Sequence, residues 1–228
     1  MPNERRAAAM RHMNLFLPWL LMIAALQAAD PQKSELASTL SHHSPDGKFA
    51  MRVVHETEDE PLRSESIRRI ELVAVASGKA LAQLLPEEDV QTHFEHWRLL
   101  WSPDAKWCAF YYEHPRTGYT TVFRHANGRF AAAHKRYALR KDTTGHTRNE
   151  YIKPIRWTKE GTLILYQWTL DHGPTGGEGG GPESSWELIA GDDAKKGSFR
   201  VIKAREITEE EGEKLEEEFE TNGKGSKQ

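Results

Sequence analysis

The sequence has little cysteine and no motif of fixed spacing for nucleophilic catalysis. Cys108 is the only cysteine, so no internal disulfide can form, and its apolar strand Trp107-Cys108-Ala109-Phe110 indicates a buried, inert thiol. The sequence contains no G-x-S-x-G elbow, no S-x-x-K motif and no cysteine placed to be activated. We therefore assign no catalytic residue and no cofactor.

Long apolar runs are also lacking. The longest, from Leu15 to Ala25, is about a dozen residues, below the roughly twenty that span a bilayer as a helix. It is preceded by arginines and followed by small residues (Arg5, Arg6, Arg11; Ala28, Ala29). This order is typical of a secretory signal peptide. We expect cleavage after residues 1–28 and a periplasmic or secreted protein with no stable membrane anchor; the alternative is an anchor that stays in place.

Basic charge is not in excess. The formal net charge is -3, and removal of residues 1–28 takes away three arginines and one glutamate. A mildly acidic exported chain is a poor candidate for binding nucleic acid, which requires basic patches. His93 and His96 are three apart in an extended segment, so their side chains are predicted on opposite faces. With no zinc-ligand spacing elsewhere, we assign no metal site.

What the sequence does contain is a repeat built around a tight turn. The first copy is Ser44-Pro45-Asp46-Gly47, the second is Ser102-Pro103-Asp104, and Glu160-Gly161 keep part of the pattern in a third. Proline pre-sets φ at the second turn position, while serine and aspartate bond the local backbone, so each copy predicts a strand-turn-strand unit. The spacing is about 57 residues, a period typical of propellers, solenoids and arrays.

Strand patterns around the turns divide residues 30–206 into three four-stranded units, at about 30–86, 87–147 and 148–206. The segment before Leu40 fits a short helix or a first strand equally well. The other predicted strands are 48–54, 67–76, 80–85, 93–101, 106–112, 119–125, 130–134, 151–157, 162–169, 185–190 and 199–204.

Residues 207–228 differ in character. Thr208 and Glu211 form a capping-box pattern, and Leu215 and Phe219 lie four apart on one helical face. The pattern predicts a short acidic helix over 208–221, followed by a disordered tail. The glutamates of this helix are interpreted as a solvated face.

The W-S-P-D-[GA]-K pattern resembles the exported β-propeller repeats of the TolB and WD40-like (PD40) type. It is carried by residues 44–49 and 101–107, while the third unit keeps only Trp157, Glu160 and Gly161. The resemblance implies an all-β, incomplete or open β-propeller-like array of four-stranded antiparallel sheets. Propellers have about four to eight blades. Three units leave a partial propeller capped by the terminal segments, a twisted sandwich, or a homo-oligomer that completes the ring.

Two loops, 113–118 and 171–182, have the same position in successive units and are expected at one edge of the assembly. We predict a partner-binding surface there, with the candidate residues Glu113, His114, Arg116, Tyr119, His172 and Glu178. The glycine-rich stretch 173–182 lacks the strand-to-helix setting of a phosphate loop. Trp101 and Trp157 occupy equivalent repeat positions, which favours core packing over a ligand platform.

The function predicted from the sequence is that of an exported, non-catalytic binding or interaction protein, whose partner is another protein or an extracytoplasmic ligand. One alternative is a small secreted hydrolase using rim carboxylates such as Glu87, Glu88 and Asp89, because glycoside hydrolysis needs two facing carboxylates. Another is a scaffold that packs on a second propeller-type protein. An oligomer is possible in each case.

Overall fold

The computed structural model describes residues 36–56, 66–85, 96–134, 138–141, 147–172, 180–193 and 198–224. The predicted signal peptide, the hydrolase candidates Glu87, Glu88 and Asp89, the loop residue Glu178 and the predicted tail after Lys224 lie outside these residues. Within the described ranges, no helix is long and apolar enough to cross a membrane.

The described strands form three antiparallel units in chain order. The first is β1 Ala37–Ser41, β2 Phe49–His55, β3 Ile67–Ala74 and β4 Ala80–Gln83. The second is β5 His96–Trp101, β6 Trp107–His114, β7 Thr117–Ala126 and β8 Arg129–Ala132. The third is β9 Thr147–Trp157, β10 Leu163–His172, β11 Gly180–Asp193 and β12 Ser198–Glu206, and helix α1 follows at Glu209–Lys224. The predicted fold class is confirmed, and the segment at 37–41 is a strand.

The second and third units are joined into one eight-stranded sheet, which the sequence did not predict. β7 and β9 run parallel and pair at Thr117 with Glu150 and at Gly118 with Tyr151. The sheet order is β12-β11-β10-β9-β7-β6-β5, with β8 paired to the far end of β7. A parallel contact of two residue pairs is too short to leave a periodic pattern in the sequence.

The first two turns have the same hydrogen bonds, which explains why serine and aspartate recur. The Ser44 hydroxyl donates to Asp46 Oδ1 at 2.7 Å and accepts from the Phe49 amide at 3.0 Å. The corresponding distances in the second turn are 2.8 Å and 3.0 Å, among Ser102, Asp104 and Trp107. These hydrogen bonds all lie within one turn, so the backbone of each turn is stabilised without contacts from another unit.

The third turn is one residue shorter. The amides of Ser44 and Ser102 bond carbonyls five residues ahead, whereas the Thr158 amide donates to the Thr162 carbonyl, four residues ahead. Counted from the residue whose carbonyl closes the turn, Leu163 in the third unit is equivalent to Cys108 in the second, and each faces the preceding unit. Leu165 faces the second unit as well, and Ile164 and Tyr166 face outward.

Apolar side chains pack the units against one another, face to face. Met51 of the first unit and Phe110 of the second share one buried cluster, which also contains Cys108, as predicted. Burial raises the pKa of the Cys108 thiol. Ala109 of the second unit and Leu163 of the third share the next cluster.

Two equivalent tryptophans connect the units by hydrogen bonds. Trp101 Nε1 of the second unit donates to the His42 carbonyl at 2.6 Å, and Trp157 Nε1 of the third donates to the Leu100 carbonyl at 3.2 Å. Both acceptors lie two residues before the first residue of a turn. Both tryptophans also pack against the clusters between units, so the prediction that they serve core packing is confirmed.

Helix α1 covers the outward face of the third unit. Its Phe219 is 4% exposed and joins Ile155, Ile164 and Tyr166 in a third buried cluster. The Asn222 side-chain amide donates to the Ile155 carbonyl at 3.2 Å. The helix therefore covers part of the face on which a fourth unit would stack, and it also extends onto Tyr111 and Arg98 of the second unit.

The capping box forms as predicted, since the Glu211 amide donates to Thr208 Oγ1 at 3.3 Å and the Thr208 amide donates to Glu211 Oε2 at 3.0 Å. The helix extends to Lys224, three residues past the predicted end. The interpretation of its glutamates as a solvated face was wrong for those that form ion pairs with sheet residues, because the helix packs on basic strands: Glu216 with Lys153, Glu218 with Arg156 and Glu211 with Arg205.

Candidate functional site

The connection between β6 and β7 is a two-residue turn, so the prediction of a loop over 113–118 was wrong. Glu113 pairs with Gly118 in the β ladder, which leaves only Pro115 and Arg116 outside it. The fully buried Tyr111 donates its hydroxyl to Glu113 Oε2 at 2.6 Å. A β-carbon at Gly118 would overlap the Tyr111 ring, so glycine lets the two strands close over this hydroxyl.

This turn and the end of β10 both lie beside the start of β9. The Glu150 amide donates to the Arg116 carbonyl at 3.0 Å, and the Tyr151 hydroxyl donates to the Pro115 carbonyl at 2.9 Å. On the other side of β9, Asp171 pairs with Thr147. The β6–β7 turn and the end of β10 thus lie together at the rim of the eight-stranded sheet where its central strands end, and we call this strand-end rim the edge.

Next to this edge, two adjoining cavities open where α1 stops covering the third unit. We call them together the rim groove; they share Tyr166, Trp168 and Glu216. The smaller cavity is about 250 Å³ and is also lined by Glu113, Tyr151 and Lys153. The larger is about 450 Å³, and its other lining residues are Glu183, Ser184, Ser185, Glu206, Ile207, Glu209, Gly212 and Glu213.

Aromatic rings form the floor of the rim groove. Tyr151 and Trp168 are directly paired across β9 and β10, and their ring centroids are 5.6 Å apart at an angle of 34°. Tyr166 is 7% exposed, and its hydroxyl lies 3.3 Å from Ser185 Oγ. Burial raises the pKa of Tyr166, and the negative charges of Glu216 and Glu183 act in the same direction.

Lys153 is the basic residue of the smaller cavity. Its ammonium forms an ion pair with Glu216 and lies 5.8 Å from the centre of the Tyr151 ring. The facing carboxylate, Glu113, accepts the hydroxyl of Tyr111, whose pKa is raised by burial and by that carboxylate. Both carboxylates of the smaller cavity therefore have partners within the chain.

Of the residues predicted for partner binding that the structure describes, only Glu113 lines the rim groove. His114 packs edge-on against Tyr112, with ring centroids 5.4 Å apart, and Arg116 is exposed at the turn. Tyr119 lies in β7 and packs against the cluster between the second and third units. His172 is exposed at the end of β10.

The sequence-based predictions did not include the aromatic floor and the helical wall of the groove. Tyr151 and Trp168 were assigned to strands, but their pairing depends on the register of β9 and β10, which shifts by one residue between Ile164 and Leu165. Glu209, Glu213 and Glu216 follow a spacing of three to four residues, which places them on one face of a helix. That spacing could have identified the helical wall, although not the strands that it faces.

Among the described residues, no group of three or more His, Cys, Asp or Glu side chains could hold a metal ion. What the groove offers is aromatic surface, carboxylate charge and hydroxyl groups. These features suit binding of a ligand that is part apolar and part polar.

No protein-family model matches the sequence, and no curated protein matches it. Several solved structures show similarity at low identity, and three of them are as follows. A protein described as TolB from Agrobacterium tumefaciens has 14% identity and a TM-score of 0.31, over 74% of this chain and 50% of that one. Hydrazine synthase from Kuenenia stuttgartiensis has 13% identity and a TM-score of 0.30, over 71% and 57%. TolB from Acinetobacter baumannii has 12% identity and a TM-score of 0.29, over 73% and 43%. The chain thus spans about half the length of these structures.

Proposed function

We propose that this protein is an exported, non-catalytic binding protein that engages its partner at the rim groove. The observation that carries the proposal is the paired rings of Tyr151 and Trp168, which lie in an open cavity at the edge where Glu113 and the β6–β7 turn meet β9. Aromatic side chains in a groove with a few polar groups are typical of binding sites.

The charge and position of the groove support a binding role. Its two innermost carboxylates are held by Tyr111 and Lys153, which fixes the shape of the site and leaves the aromatic surface open to a partner. Export rests on the signal-peptide pattern of residues 1–28.

Native mass spectrometry of the tagged protein, purified gently from the exported fraction of its own host, tests the proposal. We expect a defined complex that is lost in the double variant Tyr151→Ala/Trp168→Ala. The matched control is Ile202→Ala, which removes an apolar side chain that is 61% exposed on β12 and outside the groove. Circular dichroism should show the same β content in all variants. A complex that survives loss of both rings, or the absence of any complex, would overturn the proposal.

A further inference from the structure

We infer that the larger cavity of the rim groove binds a lysine or arginine side chain presented by a basic segment of the partner protein. This inference rests on the proposed function and names the chemistry of the ligand. It is carried by two separate features of the groove, its aromatic floor and the imbalance of charge along its walls.

The smaller cavity already shows how this groove holds an ammonium group. Lys153 lies beside the Tyr151 ring, forms an ion pair with Glu216, and is 5.1 Å from the Phe219 ring. An aromatic face attracts a cation through its quadrupole, and a carboxylate neutralises the charge. The chain therefore supplies its own example of cation binding within the groove.

The larger cavity is also lined by aromatic residues and carboxylates, but none of its described lining residues is lysine, arginine or histidine. Its lining includes the half-buried Trp168 and the edge of the buried Tyr166. Four of its carboxylates form no ion pair with a described residue: Glu183, Glu206, Glu209 and Glu213. A cationic side chain would complement this charge.

The helix brings its charges close to the rings because of a glycine. A β-carbon at Gly212 would lie 3.1 Å from the Tyr166 hydroxyl, a contact too tight for most side chains. Glu209 and Glu213 are four residues apart on the groove side of the helix, where like charges repel. A bound ammonium or guanidinium group would relieve that repulsion, whereas an anionic ligand would increase it.

Binding of short capped peptides to the full mature chain tests the inference. We expect acetylated, amidated tetralysine to bind and to shift the indole N–H resonance of Trp168, identified with Trp168→Phe. Glu209→Gln/Glu213→Gln should weaken this binding about tenfold. The control Glu210→Gln/Glu217→Gln removes the same charge from the same helix outside the groove, and should change the affinity less than about twofold.

The other possible outcomes overturn either the inference or the proposed function. Tetraglutamate or tetraglycine binding as tightly as tetralysine would overturn the inference. Equal weakening by the two double variants would do so as well, because it would indicate attraction to the net charge of the helix. If a native complex depends on Tyr151 and Trp168 but tetralysine does not bind, the inference fails and the proposed function stands. If no native complex forms, the proposed function fails.

Discussion

The contact between the first and second units and the contact of α1 with the second and third units bury sheet faces in different ways. Between the units, rings such as Phe49 and Trp101 stack, with centroids 6.1 Å apart, and an indole N–H bonds a backbone carbonyl. At the helix, the Phe219 ring reaches the second unit, where it lies 3.6 Å from the Arg98 guanidinium and 5.5 Å from the Tyr111 ring, and it shares a buried cluster with residues of the third unit.

The difference shows how an array of stacked units can end. A further unit would cover the whole outward face, whereas a helix covers a strip and adds ion pairs at its margins. The part of the face left beside Trp168 becomes the rim groove. The same feature that ends the stack therefore creates the candidate binding site.

The largest expected effect lies in the contact between units. Phe110 is fully buried between the first and second units, so Phe110→Ala should lower the free energy of unfolding by about 3–5 kcal/mol. Urea denaturation followed by tryptophan fluorescence measures this loss. A loss below about 1 kcal/mol would show that this contact is not tightly packed.

The same contact should depend on pH through His42. Burial, followed by the charge of Arg98, lowers the pKa of His42 from 6.5 to about 4. Between these values the unfolded chain binds a proton that the folded chain does not, so stability falls by up to about 3 kcal/mol from pH 7 to pH 4.

Urea denaturation across this pH range checks the dependence. His42→Asn should flatten it, since asparagine tolerates the positive φ of 50° at this position. The neighbouring exposed residue provides the control, and His43→Asn should leave the pH dependence as it is. An equal effect of both substitutions would contradict the assignment to His42.

A smaller effect is expected at the helix. Phe219→Ala removes the ring between Arg98 and Tyr111, but the loss cannot exceed the free energy with which the helix docks. We expect the free energy of unfolding to fall by about 2 kcal/mol, measured by urea denaturation as for Phe110→Ala. A larger loss than that of Phe110→Ala would reverse the comparison of the two contacts.

The smallest expected effect is the difference in stability lost when a hydroxyl is removed from the second turn and from the third. Ser102→Ala removes a fully buried hydroxyl that accepts the Trp107 amide, and should cost about 1–2 kcal/mol. Thr158→Ala removes a partly buried hydroxyl that lies 2.8 Å from Thr162 Oγ1 and accepts the Thr162 amide at the longer distance of 3.3 Å, and should cost about 0.5 kcal/mol. Thermal unfolding of the two variants, measured side by side, checks this order. A larger loss of stability for Thr158→Ala than for Ser102→Ala would contradict it.

Much of this fold follows from local sequence. Turn chemistry at Ser44 and Ser102 predicts the hairpins, and the equivalent positions of Trp101 and Trp157 predict packing between units. Thr208 and Glu211 predict the start of the helix. In each case the cause lies within a few residues or recurs at a fixed period.

The rest depends on contacts between distant residues. The place of α1 depends on Arg98 and Phe219, 121 positions apart, and a single phenylalanine among glutamates does not indicate which face it will meet. The β6–β7 turn closes because Tyr111 fits against Gly118, a steric match that propensities do not contain. The rim groove adjoins both contacts, through Glu113, which accepts the Tyr111 hydroxyl, and through Lys153, which lies 5.1 Å from the Phe219 ring. The sequence therefore did not indicate its aromatic floor.

Hydroxyl-radical footprinting of the full chain and of Phe219→Ala tests most directly whether α1 takes the place of a fourth unit. Tyr111 is fully buried and Tyr166 is 7% exposed beneath the helix, while Phe110 is fully buried between the first two units. We predict that oxidation of Tyr111 and Tyr166 rises severalfold in the variant while that of Phe110 stays low. Unchanged oxidation of Tyr166, or an equal rise at Phe110, would contradict this prediction.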